Sequence, residues 1–420
     1  MKRLFFLLIV LTFFLPSIVH AQEITLTLDE AIVIALRDNR GILLKAEDVK
    51  KAKEKISESK ASFFPTLNLT GSLTDTRGYY AKDLAQTTAG AALKQYLYRG
   101  GEVVNTIRYN NAKFEVARAI MDKTKLELVL DVTKAFYALL LSEEFTRLNR
   151  GILENAREHL NSLLLRYKNG EVSESDILGI QLSLAVTEEA YSASLNQVET
   201  GEELLRNLLY LGFDARIKLT GVFNYEERVI AFDEAFLKAM RNRPEIKQYE
   251  AQENADKRSI EIAKAGNRPD IYASWDYYGR SRASTAMEKN QNDYNVIGLT
   301  FSGPIFDGWL TKAKIEQAIV DLKATRLIKE KTVKDIALEL KNTYLELKNA
   351  IARIKASQTE EGLYKNTFLV LQEKYKAGQS SSLDLGDAGL KYEVSLFNQK
   401  QAIYDYIIAK AKFEQATGGI

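Results

Sequence analysis

Cysteine is absent from this 420-residue chain, so neither a disulfide nor a thiolate metal site is available. Histidine is nearly absent too: only His20 and His159 occur. His20 falls inside an N-terminal export signal. His159 sits in the polar run Asn155-Ala156-Arg157-Glu158-His159 and reads as a solvated helix residue. Nucleophilic catalysis and soft-metal chemistry therefore have little to work with, and no Gly-rich phosphate loop is present. The sequence points away from an enzyme, and no cofactor or metal is expected. An excess of charge of one sign is also missing. Lys and Arg number 58 against 56 Asp and Glu, and Lys2 and Arg3 belong to the export signal, so the remaining chain is balanced. That balance gives no argument for a nucleic-acid partner.

Long apolar runs are confined to the N-terminus. Lys2-Arg3 form a basic start, Leu4 to Leu15 an apolar core, and Val19-His20-Ala21 a small-x-small cleavage site. Roughly 12 apolar residues fall short of the about 20 that a helix needs to cross a bilayer. Residues 1–21 are therefore expected to be a cleavable secretory signal. No cysteine follows the cut, which excludes an N-terminal lipid anchor.

Proline is sparse, with five in all. Past the signal these are Pro65, Pro244, Pro269 and Pro304, and none falls within 100–168 or 308–376. In the second of those stretches Val333, Ile336, Leu340, Tyr344, Leu347, Ile351 and Ile354 recur at coiled-coil spacing. Leu128, Val132, Phe136 and Leu139 occupy the same places in the first. Helices of that length would run roughly 100 Å and need partners along their whole extent.

The two stretches belong to a larger duplication. Leu28-Asp29-Glu30-Ala31 returns as Phe232-Asp233-Glu234-Ala235, an offset of 204 (232 against 28). Phe64-Pro65-Thr66-Leu67 returns as Arg268-Pro269-Asp270-Ile271. Tyr98-Arg99-Gly100 matches Phe306-Asp307-Gly308, an offset of 208 (306 against 98). Tyr167-Lys168-Asn169-Gly170 matches Tyr375-Lys376-Ala377-Gly378. A period near 200 residues is a duplicated domain, too long for a solenoid unit. The expected repeats are 22–220, with helices at about 28–60, 100–168 and 173–209, and 221–420, with helices at about 232–265, 308–376 and 382–416.

Each long helix should end at a left-handed cap on Gly170 or Gly378. Ser173-Glu174-Ser175-Asp176 and Ser381-Ser382-Leu383-Asp384 then open the return helices with the S-x-x-[DE] capping pattern. Within 65–98 and 269–305 the chain alternates apolar and polar instead. Leu67, Leu69, Leu73, Leu93 and Leu97 lead one set, and Ile271, Trp275, Ile297, Leu299, Phe301 and Ile305 the other. Aromatic residues such as Tyr79, Tyr80, Tyr96, Tyr98, Tyr277, Tyr278 and Tyr294 lie near the strand ends. Strands of about ten residues suit an outer-membrane barrel. The same alternation also fits a soluble two-hairpin sheet, and alternation alone does not separate the two. If the strands do lie in lipid, four cannot close a barrel, so copies of the chain must share one.

At this point the chain resembles the outer-membrane efflux protein (TolC) family over essentially its whole mature length. Leu26-Thr27-Leu28-Asp29-Glu30-Ala31 and Arg243-Pro244-Glu245-Ile246 look like the family's repeat starts. Gly303-Pro304-Ile305-Phe306-Asp307-Gly308-Trp309 is close to its strand-to-helix turn, with Trp in place of a final Gly. Arg166-Tyr167-Lys168-Asn169-Gly170 and Lys374-Tyr375-Lys376-Ala377-Gly378 look like its periplasmic tips.

The resemblance implies a mainly α fold with a small β part. Duplicated long-helix hairpins would form a trimeric α-helical barrel, and four strands per chain would contribute to a shared 12-stranded transmembrane β-barrel. It implies a passive outer-membrane duct for efflux or type I secretion, extending into the periplasm. Partners would be a homotrimer's other copies, a periplasmic adaptor, an inner-membrane pump of the RND, ABC or MFS kind, and outer-membrane lipid. An equatorial belt would draw on the short helices and on residues 212–228. Asp384, Asp387, Tyr375 and Asp176 would line or hold the periplasmic entrance. Gly170, Ser173, Gly378 and Ser381 would form the adaptor-docking tips, and Gly100, Pro304 and Gly308 the strand-to-helix turns. The family's best-known member has an Arg two residues after the tip Gly, bonding an acid across the tip; this chain has Ser380 there, so the resemblance does not imply an Arg-based latch. The competing reading is a soluble periplasmic coiled-coil scaffold.

Overall fold

The computed structural model describes residues 23–77, 84–221, 223, 225, 231–284 and 289–419. The expected signal at 1–21, Tyr79 and Tyr80, and parts of the strand-connecting loops and of the belt segment 212–228 lie outside the described residues.

In chain order the elements are β1 (Glu23–Leu26), α1 (Leu28–Asp38), α2 (Arg40–Ala61), β2 (Thr66–Thr76), β3 (Leu84–Arg99), α3 (Glu102–Lys168), α4 (Glu174–Leu209) and β4 (Arg216–Leu219). They continue as α5 (Phe232–Asn242), α6 (Pro244–Ala265), β5 (Asp270–Ser284), β6 (Lys289–Ser302), α7 (Leu310–Lys376) and α8 (Ser382–Ala416). The fold is mainly α with a small β part.

Helices α3 and α7 each run 67 residues without interruption. On α7 the buried positions Ile336, Leu340, Thr343, Leu347, Ala350, Ile354 and Ser357 step alternately by four and three. That is a heptad seam, narrow enough to leave most of the helix surface exposed. Where the pattern at 28–60 reads as one helix, the chain turns at Asn39, whose ψ of 123° is extended. The side-chain amide of Asn39 donates to the Leu208 carbonyl at 3.1 Å. In the second half the turn falls at Arg243, with Pro244 at the first helical position, where its missing N–H costs nothing.

Two compact units divide the chain, and each takes segments from both halves of the sequence. The first lies within Met1–Arg40, Glu127–Val229 and Thr343–Phe413. There β1 and β4 pair in parallel, from Glu23 beside Arg216 to Leu26 beside Leu219. Phe136, Leu139, Leu205, Leu209, Ile354 and Phe413 are fully buried. Helix α4 crosses α3 closely at Gly201, where a Cβ would stand 3.2 Å from Leu139.

The second unit lies within Gly41–Leu126, Ile230–Asn342 and Glu414–Ile420. It holds the four-stranded antiparallel sheet in the order β2-β3-β5-β6. Its helical core is built from small residues, among them Ala119, Ala235, Ala239, Ala255 and Ala318. A buried carboxylate on α6, Asp256, accepts from Gln252 and from Thr325 Oγ1 of α7, both at 2.6 Å. Lys113 of α3 donates to Gln252 at 2.8 Å, so one polar chain ties three helices. Arg243 is buried and reaches Glu339 at 2.7 Å and Glu245 at 3.0 Å.

Candidate functional site

The helical tips are built alike. At the end of α3, Glu171 donates its backbone N–H to the Arg166 carbonyl at 3.0 Å and Gly170 to Tyr167 at 2.9 Å. At the end of α7, Gln379 donates to Lys374 at 2.8 Å and Gly378 to Tyr375 at 3.0 Å. Both pairs form a Schellman motif, which needs a left-handed residue; Gly170 (φ 77°) and Gly378 (φ 70°) supply it without a Cβ clash.

Each tip then restarts with a capping box. Ser173 donates its backbone N–H (2.9 Å) and hydroxyl (2.7 Å) to the Asp176 carboxylate, and the Asp176 amide returns to Ser173 Oγ at 3.2 Å. Ser381 and Asp384 repeat this at 3.2, 2.6 and 3.1 Å. The serine hydroxyl, then the serine amide, hold both carboxyls below the ordinary aspartate value. Both are therefore capping groups and standing negative charges at neutral pH. Asp387 follows Asp384 by three residues on the same helix face and is exposed. Tyr375 is half exposed one turn before the second tip. All of these residues belong to the first compact unit.

The strand-to-helix turns belong to the second unit. Gly100 and Gly101 are both left-handed (φ 58° and 84°), and Arg268 donates to the Gly100 carbonyl at 2.9 Å. Their counterparts are Gly308 and Trp309, both at φ 67°. Asp307 caps α7 by accepting the Thr311 amide at 2.8 Å. The Trp309 indole meets the Phe306 ring edge-on at 5.2 Å, and both side chains are exposed, as is Pro304. The left-handed Trp309 was not foreseen; its match with Gly101 in the duplication was the available signal.

Between these turns lies the sheet. Leu67, Leu93, Trp275 and Ile297 stand directly opposite one another across all four strands. With Leu69, Leu73, Leu299 and Phe301 they make one apolar face, on which Leu69 is 79% and Ile297 82% exposed. Asn68, Thr70, Ser72, Thr88, Ser274, Asp276 and Thr300 lie on the opposite face, by the two-residue alternation of strands. Every residue of β2 from Thr66 to Asp75 is exposed, so neither face is covered there. The outer edges of β2 and β6 have no partner strand among the described residues. Lys94, on the polar face of β3 beside Tyr96 and Tyr272, is a feature that sequence reasoning missed, because it needs the β3–β5 pairing. No helix among the described residues is long and apolar enough to cross a membrane.

The profile of the family described as Outer membrane efflux protein matches this chain twice, at residues 31–209 and 237–419. The outer membrane protein TolC of Escherichia coli (strain K12) is 21% identical over 393 residues, covering 89% of this chain and 78% of that protein. The outer membrane efflux protein BepC of Brucella suis is 22% identical over 396 residues, covering 93% and 85%. Among solved structures, the Campylobacter jejuni CmeC outer membrane channel superposes with a TM-score of 0.79 at 17% identity, covering 93% of this chain and 85% of that one. The open state of the Neisseria gonorrhoeae MtrE outer membrane channel gives 0.77 at 18% identity, covering 93% and 89%. These structures share the fold.

Proposed function

Because the chain belongs to the outer membrane efflux protein family, a family of outer membrane channels, we propose that it is the passive export duct of a tripartite assembly. In this reading three copies close one barrel and one helical tunnel, a periplasmic adaptor docks on the tips, and an inner-membrane pump supplies the energy. The pump is of the RND, ABC or MFS kind. The chain is exported by a signal cleaved after Ala21 and carries no lipid.

One observation carries the reading: the sheet has an apolar face, a polar face and two edges that no strand among the described residues pairs. Unpaired backbone groups in lipid cost several kcal/mol each, so an open sheet of this kind does not persist there. Burying the apolar face against another layer would leave the polar face and both edges unexplained. Association of three sheets joins the edge of β2 to the edge of β6 in a neighbour, closes the ladder, and puts leucines toward lipid and polar residues toward a lumen. The exposed Phe306 and Trp309 beside the strand ends fit the interfacial aromatic belt such barrels carry.

The entrance follows from the tips. Threefold repetition of Asp384 and Asp387 brings six carboxylates around one axis, a ring that favours cations and repels anions. Tyr375 lies beside it, and with Ser380 in the latch position, closure depends on contacts other than an arginine. Asp176 serves mainly as the first tip's cap. The tip loops Asn169–Ser173 and Ala377–Ser381 are the docking surface for the adaptor.

The test is ion conduction through the purified protein in planar bilayers. The unsubstituted channel should prefer cations and be blocked by multivalent ones. Asp384→Asn with Asp387→Asn should abolish that block and lower the cation preference several-fold. Unchanged selectivity and block in the double variant would remove these acids from the entrance.

A further inference from the structure

The polar face of the sheet is not uniformly neutral. Lys94 lies on β3 directly opposite Ser274 of β5, and Tyr96, two residues on, pairs with Tyr272. The two rings are 5.5 Å apart at 59°. The Lys94 ammonium stands 3.8 Å from the centre of the Tyr272 ring and 4.6 Å from that of Tyr96. Lys94 has no ion-pair partner among the described residues. Tyrosine faces attract a cation through their quadrupole without cancelling its charge, so the ammonium is both positioned and available.

Its surroundings distinguish it from the other charges nearby. Arg99 lies 4.7 Å from the Tyr96 ring but is paired with Glu102 at 3.2 Å. Asp270 lies opposite Arg99 at the helix-proximal end of the sheet. On the loop side, Asp276 and Arg280 follow on the same face, opposite Ala92 and Thr88. Lys94 is therefore the cation nearest the helical end of the polar face that a carboxylate does not neutralise.

If the polar face lines a lumen, as the proposed function has it, three copies arrange three ammoniums and six tyrosine rings around the barrel close to its junction with the helices. A ring of lysines in a pore favours anions, and flanking aromatic faces favour flat solutes. We propose that Lys94, Tyr96 and Tyr272 form a selectivity collar for anionic solutes bearing an aromatic ring, opposite in charge preference to the tip acids. This inference rests on the barrel reading and concerns residues that the entrance does not use.

The entrance acids would mask the collar in any conductance measurement, so the experiment is run on the full-length Asp384→Asn/Asp387→Asn channel. Reversal potentials in a potassium chloride gradient at low salt report the chloride-to-potassium permeability ratio, where screening is weakest. Adding Lys94→Gln should lower that ratio about two-fold, whereas Lys94→Arg should keep it. Block by 1-naphthalenesulfonate should weaken several-fold with Lys94→Gln and with Tyr272→Leu, and methanesulfonate should block less than the aromatic anion does. Each variant is checked for trimer formation and unit conductance first, with Lys94→Arg standing in as the structural control. A ratio and block unchanged by Lys94→Gln in conducting trimers would overturn the collar while leaving the barrel intact. Naphthalenesulfonate block insensitive to Tyr272→Leu would overturn its aromatic part. A parent channel that conducts nothing in any background would overturn the barrel reading and the collar together.

Discussion

Trp309 holds a backbone conformation that L-residues with bulky side chains avoid, at φ 67°. The left-handed region brings Cβ against the following carbonyl and costs about 1–2 kcal/mol. Its counterpart Gly101 meets the same turn at φ 84° without that cost. Comparing two truncations isolates the backbone effect, since both remove the indole. Trp309→Gly should be more stable than Trp309→Ala by about 1 kcal/mol in detergent unfolding. Equal stability would mean that the turn relaxes out of the left-handed region. Arg243 poses the opposite case, a buried cation with Glu339 and Glu245 on either side. Arg243→Met should destabilise by about 1.5–3 kcal/mol, because the largely buried Glu245 loses a charged hydrogen bond that offsets its desolvation and the more exposed Glu339 loses its close partner. An unchanged melting curve would contradict it.

At the scale of elements, the tips join backbone geometry to charge. The Ser173 and Ser381 hydroxyls and amides lower the carboxyl pKa of Asp176 and Asp384 in the folded chain relative to the unfolded one. The stabilisation is therefore fully present above the ordinary aspartate value of about 3.9 and is lost as pH falls through the lowered folded value. Protection factors for amide exchange at 170–177 and 378–385, corrected for the intrinsic pH dependence of exchange, should fall in that acid window and stay flat from about pH 5 to 8. Ser173→Ala with Ser381→Ala should raise exchange at neutral pH and remove most of the acid dependence. If acid left tip protection factors unchanged in the unsubstituted protein, the capping boxes would not be what orders the tips.

Much of this was legible in the sequence, for physical reasons that differ by element. The long helices announced themselves because their seam repeats over many turns without a proline, and the tips because Gly and S-x-x-D occur twice. The short helices were harder. Pro244 marks the break at Arg243, whereas Asn39 breaks the equivalent helix with no residue that forces it. The strands run further than their apolar alternation, to Thr76 and from Leu84, because ladder bonds continue where both faces turn polar. The Lys94 cluster was out of reach, since it exists only once Tyr96 finds Tyr272 on a strand from the other half of the chain.

For the whole molecule, everything turns on where the unpaired edges of β2 and β6 go. The chain contains no cysteine, so engineered thiols report on this without background. Cysteine at Leu69 on β2 is combined in the same chain with cysteine at Ile297, Leu299 or Phe301 on β6, all on the apolar face. The proteins are oxidised in intact outer membranes and separated under denaturing, non-reducing conditions. At least one register should give a crosslinked ladder that ends at three subunits. A chain that stays monomeric in every register, or a ladder that runs past three, would contradict closure of one barrel by three copies.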